Sequence, residues 1–234
     1  MKNKVVAHRD AWKEFNLPEN SLSAFKKALE LKCYAAEFDV HLTNDDVLVV
    51  HHDYDKEGYD IESTNYDYLA QYPLANGEKL PLLKDFFLVG FSQTTTKLML
   101  EIKSCQKGGL DRTKHLIDCL IKMLPSAALP SLLEFIFFDF EAAIYLKNKL
   151  PNYAVHYLNG DKSAQQIKTA GLNGMDYDVN LLLSDTSLIA NFKALGLKTN
   201  SFTVNDVDTA QLLHYAGIDA ITTDFPQLFL NNDL

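Results

Sequence analysis

Four short polar clusters punctuate the chain, each at the end of a run rich in β-branched, aromatic or aliphatic residues: His8-Arg9, Glu37-Phe38-Asp39, His52-Asp53 and Glu101-Ile102-Lys103. Residues two apart on a strand face the same way, so Glu37 projects with Asp39 and Glu101 with Lys103. Three converging carboxylates repel one another unless a cation sits among them. Hard oxygen donors favour Mg²⁺ or Ca²⁺, and no cysteine or histidine triad points to zinc. Arg9 offers a bidentate fork and Lys103 a point charge, the two ways of meeting a phosphate. His8 and His52 come from different strands and can flank a phosphorus atom as general base and general acid. Singly, each cluster also reads as a hydrogen-bonded strand end or a solvated acidic edge. It is four complementary clusters in succession that set them apart from Asp45, Asp46, Asp55, Glu57 and Asp60, which lie in turn-rich sequence and are expected to be solvated.

The elements that must position them alternate in type. Strands are expected over Lys4–Arg9, Ala35–His41, Lys97–Lys103, Leu132–Asp139, Ala154–Leu158, Gly174–Val179, Lys198–Val204 and Asp219–Thr223, with Val47–His52 as a hairpin return after the turn at Asn44-Asp45-Asp46. Helical spacing covers Ser21–Leu31, Leu110–Leu124, Glu141–Leu150, Ala164–Ala170, Ser187–Leu195 and Val207–Tyr215, and Pro81 opens another through Phe87. Gly196 and Gly217 stand where helix C-caps belong. Eight strands alternating with helices predict a TIM (β/α)₈ barrel, whose chemistry sits at the C-terminal ends of its strands. No glycine-rich loop follows the first strand, which disfavours a dinucleotide-binding sheet. Asp53 to Leu80, carrying Tyr54, Tyr59, Tyr66, Tyr68 and Tyr72, is too long for an ordinary loop and is expected to be a small cap over the catalytic face of a single domain spanning residues 1–234.

Composition narrows the function classes. Hydrophobic residues make up 47% and charged residues 23%, enough to build a sizeable core. A net charge of -9 argues against nucleic acid or an anionic membrane as partner but leaves a phosphate substrate open, because a local cation outweighs the global balance. Cys33, Cys105 and Cys119 fit no metal-ligand spacing and read as small hydrophobes. No run is long and apolar enough for membrane insertion, and Met1-Lys2-Asn3-Lys4 passes directly into Val5-Val6-Ala7-His8 without a leader pattern. The expected location is cytoplasmic, or periplasmic if a leader has been removed.

In order along the chain, these motifs resemble the glycerophosphodiester phosphodiesterase family. His8-Arg9 is similar to its His-Arg-Gly, Pro18-Glu19-Asn20-Ser21 to Pro-Glu-Asn-Thr, Glu37-Phe38-Asp39 to Glu-x-Asp, and His52-Asp53 to its His-Asp. Pro81-Leu82-Leu83 resembles Pro-Thr-Leu, Glu101-Ile102-Lys103 resembles Glu-x-Lys, and Thr203-Val204-Asn205 with Gly217-Ile218-Asp219 through Thr223-Asp224-Phe225-Pro226 matches the last two strands. The resemblance implies that Glu37, Asp39 and Glu101 bind one divalent cation, that His8 and His52 are the acid–base pair, and that Arg9 and Lys103 hold the phosphate. Glu19 and Asn20 would support the first-strand loop, with Asn20 near the substrate. Alternation sends His51 and His52 to opposite faces, and His52, directly before Asp53, fits the motif. Asp10 replaces the usual glycine, Phe202 the usual tryptophan, and Asp139 falls where a serine is usual; the last two lie where the substrate alcohol should pack. The implied reaction releases glycerol 3-phosphate and an alcohol from a small glycerophosphodiester. The rival readings are a related barrel phospholipase of the sphingomyelinase D kind, acting on lipid phosphodiesters, and an inactive phosphodiester-binding barrel. Oligomeric state is not encoded in these motifs.

Overall fold

The computed structural model describes residues 4–125 and 129–231. Its strands are β1 (Lys4–Ala7), β2 (Ala35–Leu42), β3 (Leu48–Val50), β4 (Asp55–Lys56), β5 (Tyr59–Asp60), β6 (Lys97–Ile102), β7 (Leu133–Phe137), β8 (Ala154–Tyr157), β9 (Gly174–Asp178), β10 (Lys198–Phe202) and β11 (Ala220–Thr223). Its α-helices are α1 (Leu22–Glu30), α2 (Tyr66–Leu69), α3 (Leu83–Gly90), α4 (Gly109–Met123), α5 (Phe140–Lys149), α6 (Ala164–Thr169), α7 (Val179–Ser184), α8 (Ser187–Ala194), α9 (Val207–Tyr215) and α10 (Pro226–Asn231).

Eight parallel strands run in the order β10-β9-β8-β7-β6-β2-β1-β11. The seam between the two ends is joined by the Asp219 amide donating to the Thr199 carbonyl (3.1 Å) and the Val204 amide to the Thr222 carbonyl (2.9 Å). The result is a nearly closed (β/α)₈ barrel. β3 lies off this path and pairs antiparallel with β2, as a hairpin return should. At β9 the backbone of β10 approaches so closely that a Cβ on Gly174 would stand 2.2 Å from the Lys198 carbonyl oxygen. Only glycine allows that contact.

Most apolar side chains pack between the barrel wall and the helices, while the barrel axis holds a thin cluster of Val6, Ala35, Met99, Ile136, Leu158 and Ala220. β2 is buried along its whole length. Its Phe38 turns outward onto Phe25 of α1 and Phe86 of α3, with ring centroids 5.6 and 4.7 Å away. Anchoring Phe38 on the helix side forces its neighbours Glu37 and Asp39 onto the barrel side, because strand side chains alternate.

Several expected boundaries shift. β1 stops at Ala7, β3 at Val50 and β6 at Ile102, so His8, Arg9, His52 and Lys103 lie in the turns just beyond the strands. Pro81 is not in the first helical turn. It precedes the N-cap Leu82, and α3 runs on to Gly90. The segment after Asp53 contains a two-stranded β4–β5 hairpin and the short α2. Helices α7 and α10 fall outside the expected set: α7 follows β9 with no intervening loop, and the Glu14 carboxylate accepts from the Gln227 and Leu228 amides of α10 at 2.8 and 3.1 Å.

Asp139, expected near the substrate alcohol, caps a helix. It lies past β7, and its Oδ1 accepts from the Glu141 and Ala142 amides at 2.9 and 3.0 Å, the N-cap of α5. Asp139→Ala is expected to lower the unfolding free energy by about 1 kcal/mol, the usual worth of a cap. Urea unfolding checks the loss, and turnover by the folded variant should match the parent.

Candidate active site

Glu37, Asp39 and Glu101 offer carboxylate oxygens that all lie within 4.8 Å of one another, the three side chains being buried. The register that pairs Asp39 with Glu101 across β2 and β6 puts them at one level of the barrel mouth. Around them the protein spends nearly all of its local hydrogen-bonding capacity. Lys103 Nζ reaches Asp39 Oδ1 at 2.9 Å and Glu101 Oε1 at 2.6 Å. Asn20 Nδ2 donates to Asp39 Oδ2 at 2.8 Å while its Oδ1 accepts from the Asp39 amide at 3.1 Å. The Arg9 amide donates to Glu37 Oε2 at 2.8 Å.

One lysine does not neutralise three acids. Burial, then the charges of Asp39 and Glu101, pushes the Glu37 carboxyl well above the carboxylate range. Burial and Asp39 hold Glu101 up at about 7. For Asp39 burial acts in the same direction, but Lys103, His52 and Asn20 outweigh it and bring the group below its ordinary value. Burial opposes the Lys103 charge too, yet Asp39 and Glu101 raise it. Buried oxygen donors with too little positive charge fit a hard divalent cation.

The two histidines are each tied to a carboxylate. His8 Nδ1 is 2.7 Å from Asp224 Oδ1, and the other oxygen, Oδ2, accepts from Asn205 Nδ2 (2.9 Å) and Lys13 Nζ (3.2 Å). Burial works to raise the Asp224 carboxyl, but the bond and charge of His8 prevail and hold it at about 2. His52 Nδ1 is 2.7 Å from Asp53 Oδ1. Burial lowers the His52 pKa, with Lys103 and Arg9 adding to the effect against Asp39 and Asp53. A carboxylate on Nδ1 fixes the tautomer and leaves Nε2 to exchange protons. His51 points elsewhere: its Nε2 meets the Asp55 carbonyl at 3.0 Å.

Both histidines address the same acids. His8 lines a narrow cavity along the barrel axis with Glu37, Glu101 and Phe202. His52 lines a cleft of about 260 Å³ with Asp53, Tyr54, Glu101, Lys103 and Phe138. Glu101 is common to the two. Arg9 Nη1 is held by both Glu19 oxygens, at 3.2 and 3.1 Å, and its buried Nε has no protein partner. Glu19 and Asn20 thus do brace the first-strand loop, Asn20 through Asp39.

Asp10 adopts φ 73°, the left-handed conformation for which glycine is the usual residue, so the turn survives the substitution. Its carboxyl is fully buried with both oxygens unpartnered, and burial, reinforced by Asp39, pushes it well above the ordinary range. It lies outside the trio of carboxylates that converge at the mouth. Phe202 packs edge-on to Phe138 at 5.9 Å. Phe138 is 42% exposed, so the aromatic wall at the mouth is Phe138 with Phe202. Sequence reasoning gave no role to Asp224, Asn205 or Phe138. The first two end the last strands in the Thr223-Asp224 and Val204-Asn205 motifs, a signal that was available. Phe138 directly precedes Asp139.

A parallel barrel with an acidic cluster and two carboxylate-oriented histidines at the C-terminal strand ends defines a phosphoric diester hydrolase. Residues 8–228 match the model of the glycerophosphoryl diester phosphodiesterase family, and the chain belongs to that family. A glycerophosphodiester phosphodiesterase of Caldanaerobacter subterraneus subsp. tengcongensis is 26% identical, the match covering 99% of this chain and 98% of the relative. The crystal structure of a glycerophosphodiester phosphodiesterase from Parabacteroides distasonis superposes with a TM-score of 0.94 at 34% identity, over 99% of this chain and 97% of that one. An Oleispira antarctica phosphodiesterase solved in complex with the product sn-glycerol-3-phosphate gives 0.83 at 25% identity, over 97% and 95%. Among the described residues no helix is long and apolar enough to cross a membrane.

The His8–Asp224 pair has a pH signature. A carboxyl held at about 2 when folded, against about 3.9 when unfolded, contributes stability that is full above about pH 4 and is lost as pH falls through about 2. The stability advantage of the parent over Asp224→Asn, measured by denaturant unfolding, should therefore shrink steadily between about pH 4 and pH 2. A constant advantage across that window would rule out the ionic pair.

Proposed function

We propose that this barrel hydrolyses small glycerophosphodiesters to glycerol 3-phosphate and an alcohol. The observation that carries the reading is the pair of histidines, each oriented through Nδ1 by its own carboxylate and each lining a cavity that reaches Glu101. Glu37, Asp39 and Glu101 would hold one divalent cation, Mg²⁺ or Ca²⁺, which when bound supplies Lewis-acid charge beside the phosphate. Arg9 and Lys103 stabilise the charge that builds on the non-bridging oxygens. For Lys103 this means giving up part of its grip on Asp39 and Glu101.

One imidazole accepts, at Nε2, the proton of the attacking oxygen. That oxygen belongs either to water or to the neighbouring glycerol hydroxyl, and trapping a cyclic glycerol phosphate distinguishes the two routes. The other imidazole, protonated at Nε2, donates to the departing alkoxide, which would otherwise leave as a strong base. Asp224 and Asp53 stabilise whichever ring carries the charge. Phe138 and Tyr54 line the cleft, with Phe202 packed edge-on against Phe138, and the alcohol would lie against this aromatic wall. The sn-glycerol-3-phosphate bound to the Oleispira antarctica protein supports this product.

A panel of glycerophosphocholine, glycerophosphoethanolamine, glycerophosphoglycerol and glycerophosphoinositol, assayed with Mg²⁺ or Ca²⁺, should release glycerol 3-phosphate, and EDTA should stop the release. No release from any of the four, or turnover of intact lipid in liposomes instead, would overturn the assignment. His8→Ala and His52→Ala are each expected to reduce kcat by about 10²–10⁴-fold, the usual worth of acid–base catalysis, with circular dichroism unchanged. Cation binding should release protons near neutral pH, because Glu101 sits at about 7 and must ionise to act as a ligand. Calorimetry in two buffers of different ionisation enthalpy measures that release, and the affinity should weaken as pH falls below about 7.

A further inference from the structure

At the opposite end of the barrel from the histidines, the first residues of β6, β7, β8, β9 and β10 surround a cavity of about 330 Å³. That volume lies at the lower end of the range for small-molecule sites. The N-terminal face of such a barrel ordinarily serves stability alone, and its interior is packed. Here it is lined by charged and polar side chains that point inward from strand positions of one parity: Lys97, Glu134, His156, Asp176 and Asn200.

Three of their atoms are buried and have no partner in the protein: His156 Nδ1, Asp176 Oδ1 and Asn200 Oδ1, on residues 6%, 2% and 7% exposed. The bonds made by the remaining atoms decide what these three offer. Asn200 Nδ2 donates to Asp176 Oδ2 (2.8 Å) and Thr222 Oγ1 (2.9 Å), so the amide cannot be turned round and its oxygen is the open end. His156 Nε2 faces Glu134 Oε2 at 3.3 Å. The Glu134 carboxyl resists burial through His156 and Lys97 and is held down at about 2, so it is an anion that can only accept. The contact of Nε2 with Glu134 leaves Nδ1 as the open nitrogen of the His156 ring. The two open oxygens are acceptors at about pH 8, because the Asp176 carboxyl, raised by burial to about 7, is ionised there.

The charges nearest the buried wall are unbalanced, since Lys198, the other lysine of the lining, is exposed. Lys97 Nζ pairs with Glu134, and Lys193 Nζ pairs with Asp219 at 3.4 Å on the cavity's rim. Asp176, which also lines the axial cavity beside His8, has among the described residues only the neutral Asn200 amide as a hydrogen-bond partner. A guest that completes this surface brings one positive charge and several N–H donors, and a primary ammonium has one charge and three. Inorganic anions are excluded by the acceptors. A bare metal ion is disfavoured by geometry, because among the described residues the one His, Cys, Asp and Glu group tight enough to hold an ion is Glu37, Asp39 and Glu101 at the other end. Met99, Met175 and Ala220 supply an apolar lining for a short carbon stem.

We propose that this cavity is a second binding site, taking the ammonium group of a small primary amine. The full-length protein, at about pH 8 where a free imidazole is neutral and with EDTA present, is titrated calorimetrically with n-butylammonium. Tetramethylammonium and 1-butanol serve as controls that lack the N–H donors and the charge respectively. Saturable one-to-one binding on the order of millimolar is expected, with both controls at least about tenfold weaker. Asp176→Asn should weaken n-butylammonium by about tenfold or more, whereas Glu101→Gln, at the barrel mouth, should leave it unchanged. If Asp176→Asn does not fold, Ala220→Met, which narrows the cavity with an apolar side chain, is expected to produce the loss instead. Absence of saturable n-butylammonium binding, equal binding of tetramethylammonium, or loss of binding in Glu101→Gln with retention in the cavity variant that folds would each overturn the proposal.

Discussion

Burying three carboxylates at one point is the constraint around which the barrel mouth is organised. Glu37, Asp39 and Glu101 cannot all be ionised in a dry site without compensating charge. The protein supplies part of that compensation through Lys103, the Asn20 amide and the Arg9 backbone. The part left over makes the site receptive to a cation. Lys103 therefore has two tasks in tension, since the same ammonium that quiets Asp39 and Glu101 is the one that would face a phosphate. Arg9 is spared this conflict because Glu19, a residue outside the acidic cluster, holds its guanidinium.

The histidines follow a different design. Each is fixed through Nδ1 by an acid near it in space, but the two acids are reached differently. Asp53 is the next residue to His52, whereas Asp224 is 216 residues away from His8. Asp53 is exposed and Asp224 is buried in a network with Asn205 and Lys13. The more enclosed partner makes the stiffer mount, so His8 is the better constrained of the two rings.

Much of this was readable before the structure. The (β/α)₈ barrel followed from alternating runs, and the convergence of Glu37, Asp39 and Glu101 followed from strand parity, which depends only on backbone geometry. What the sequence did not carry depended on exact ends. β7 stops at Phe137 rather than Asp139, which makes Asp139 the cap of α5 and brings Phe138 to the cleft. Pro81 was misplaced for the same reason: proline marks a helix start to within a residue or two, and here it precedes the cap. Asp224 was visible as a letter in the final motif, but its bond to His8 is made by barrel closure, which no local pattern encodes. Asp10 was visible as a departure. Only the structure revealed that its backbone keeps the left-handed turn and that its carboxyl is buried without a partner.

The bond between His8 and Asp224 also has a consequence for how the enzyme comes into being. A chain leaves the ribosome from its N-terminus, and domains begin to fold as they emerge. The acidic cluster, both histidines and Arg9 are all made within the first 101 residues, yet β1 finds its neighbour β11 only when the last strand has been synthesised. Until then His8 has no carboxylate on Nδ1, and Glu14 has no α10 to cap. The barrel seam thus makes the mounting of His8, near the start of the chain, wait for β11, which comes last among the described strands.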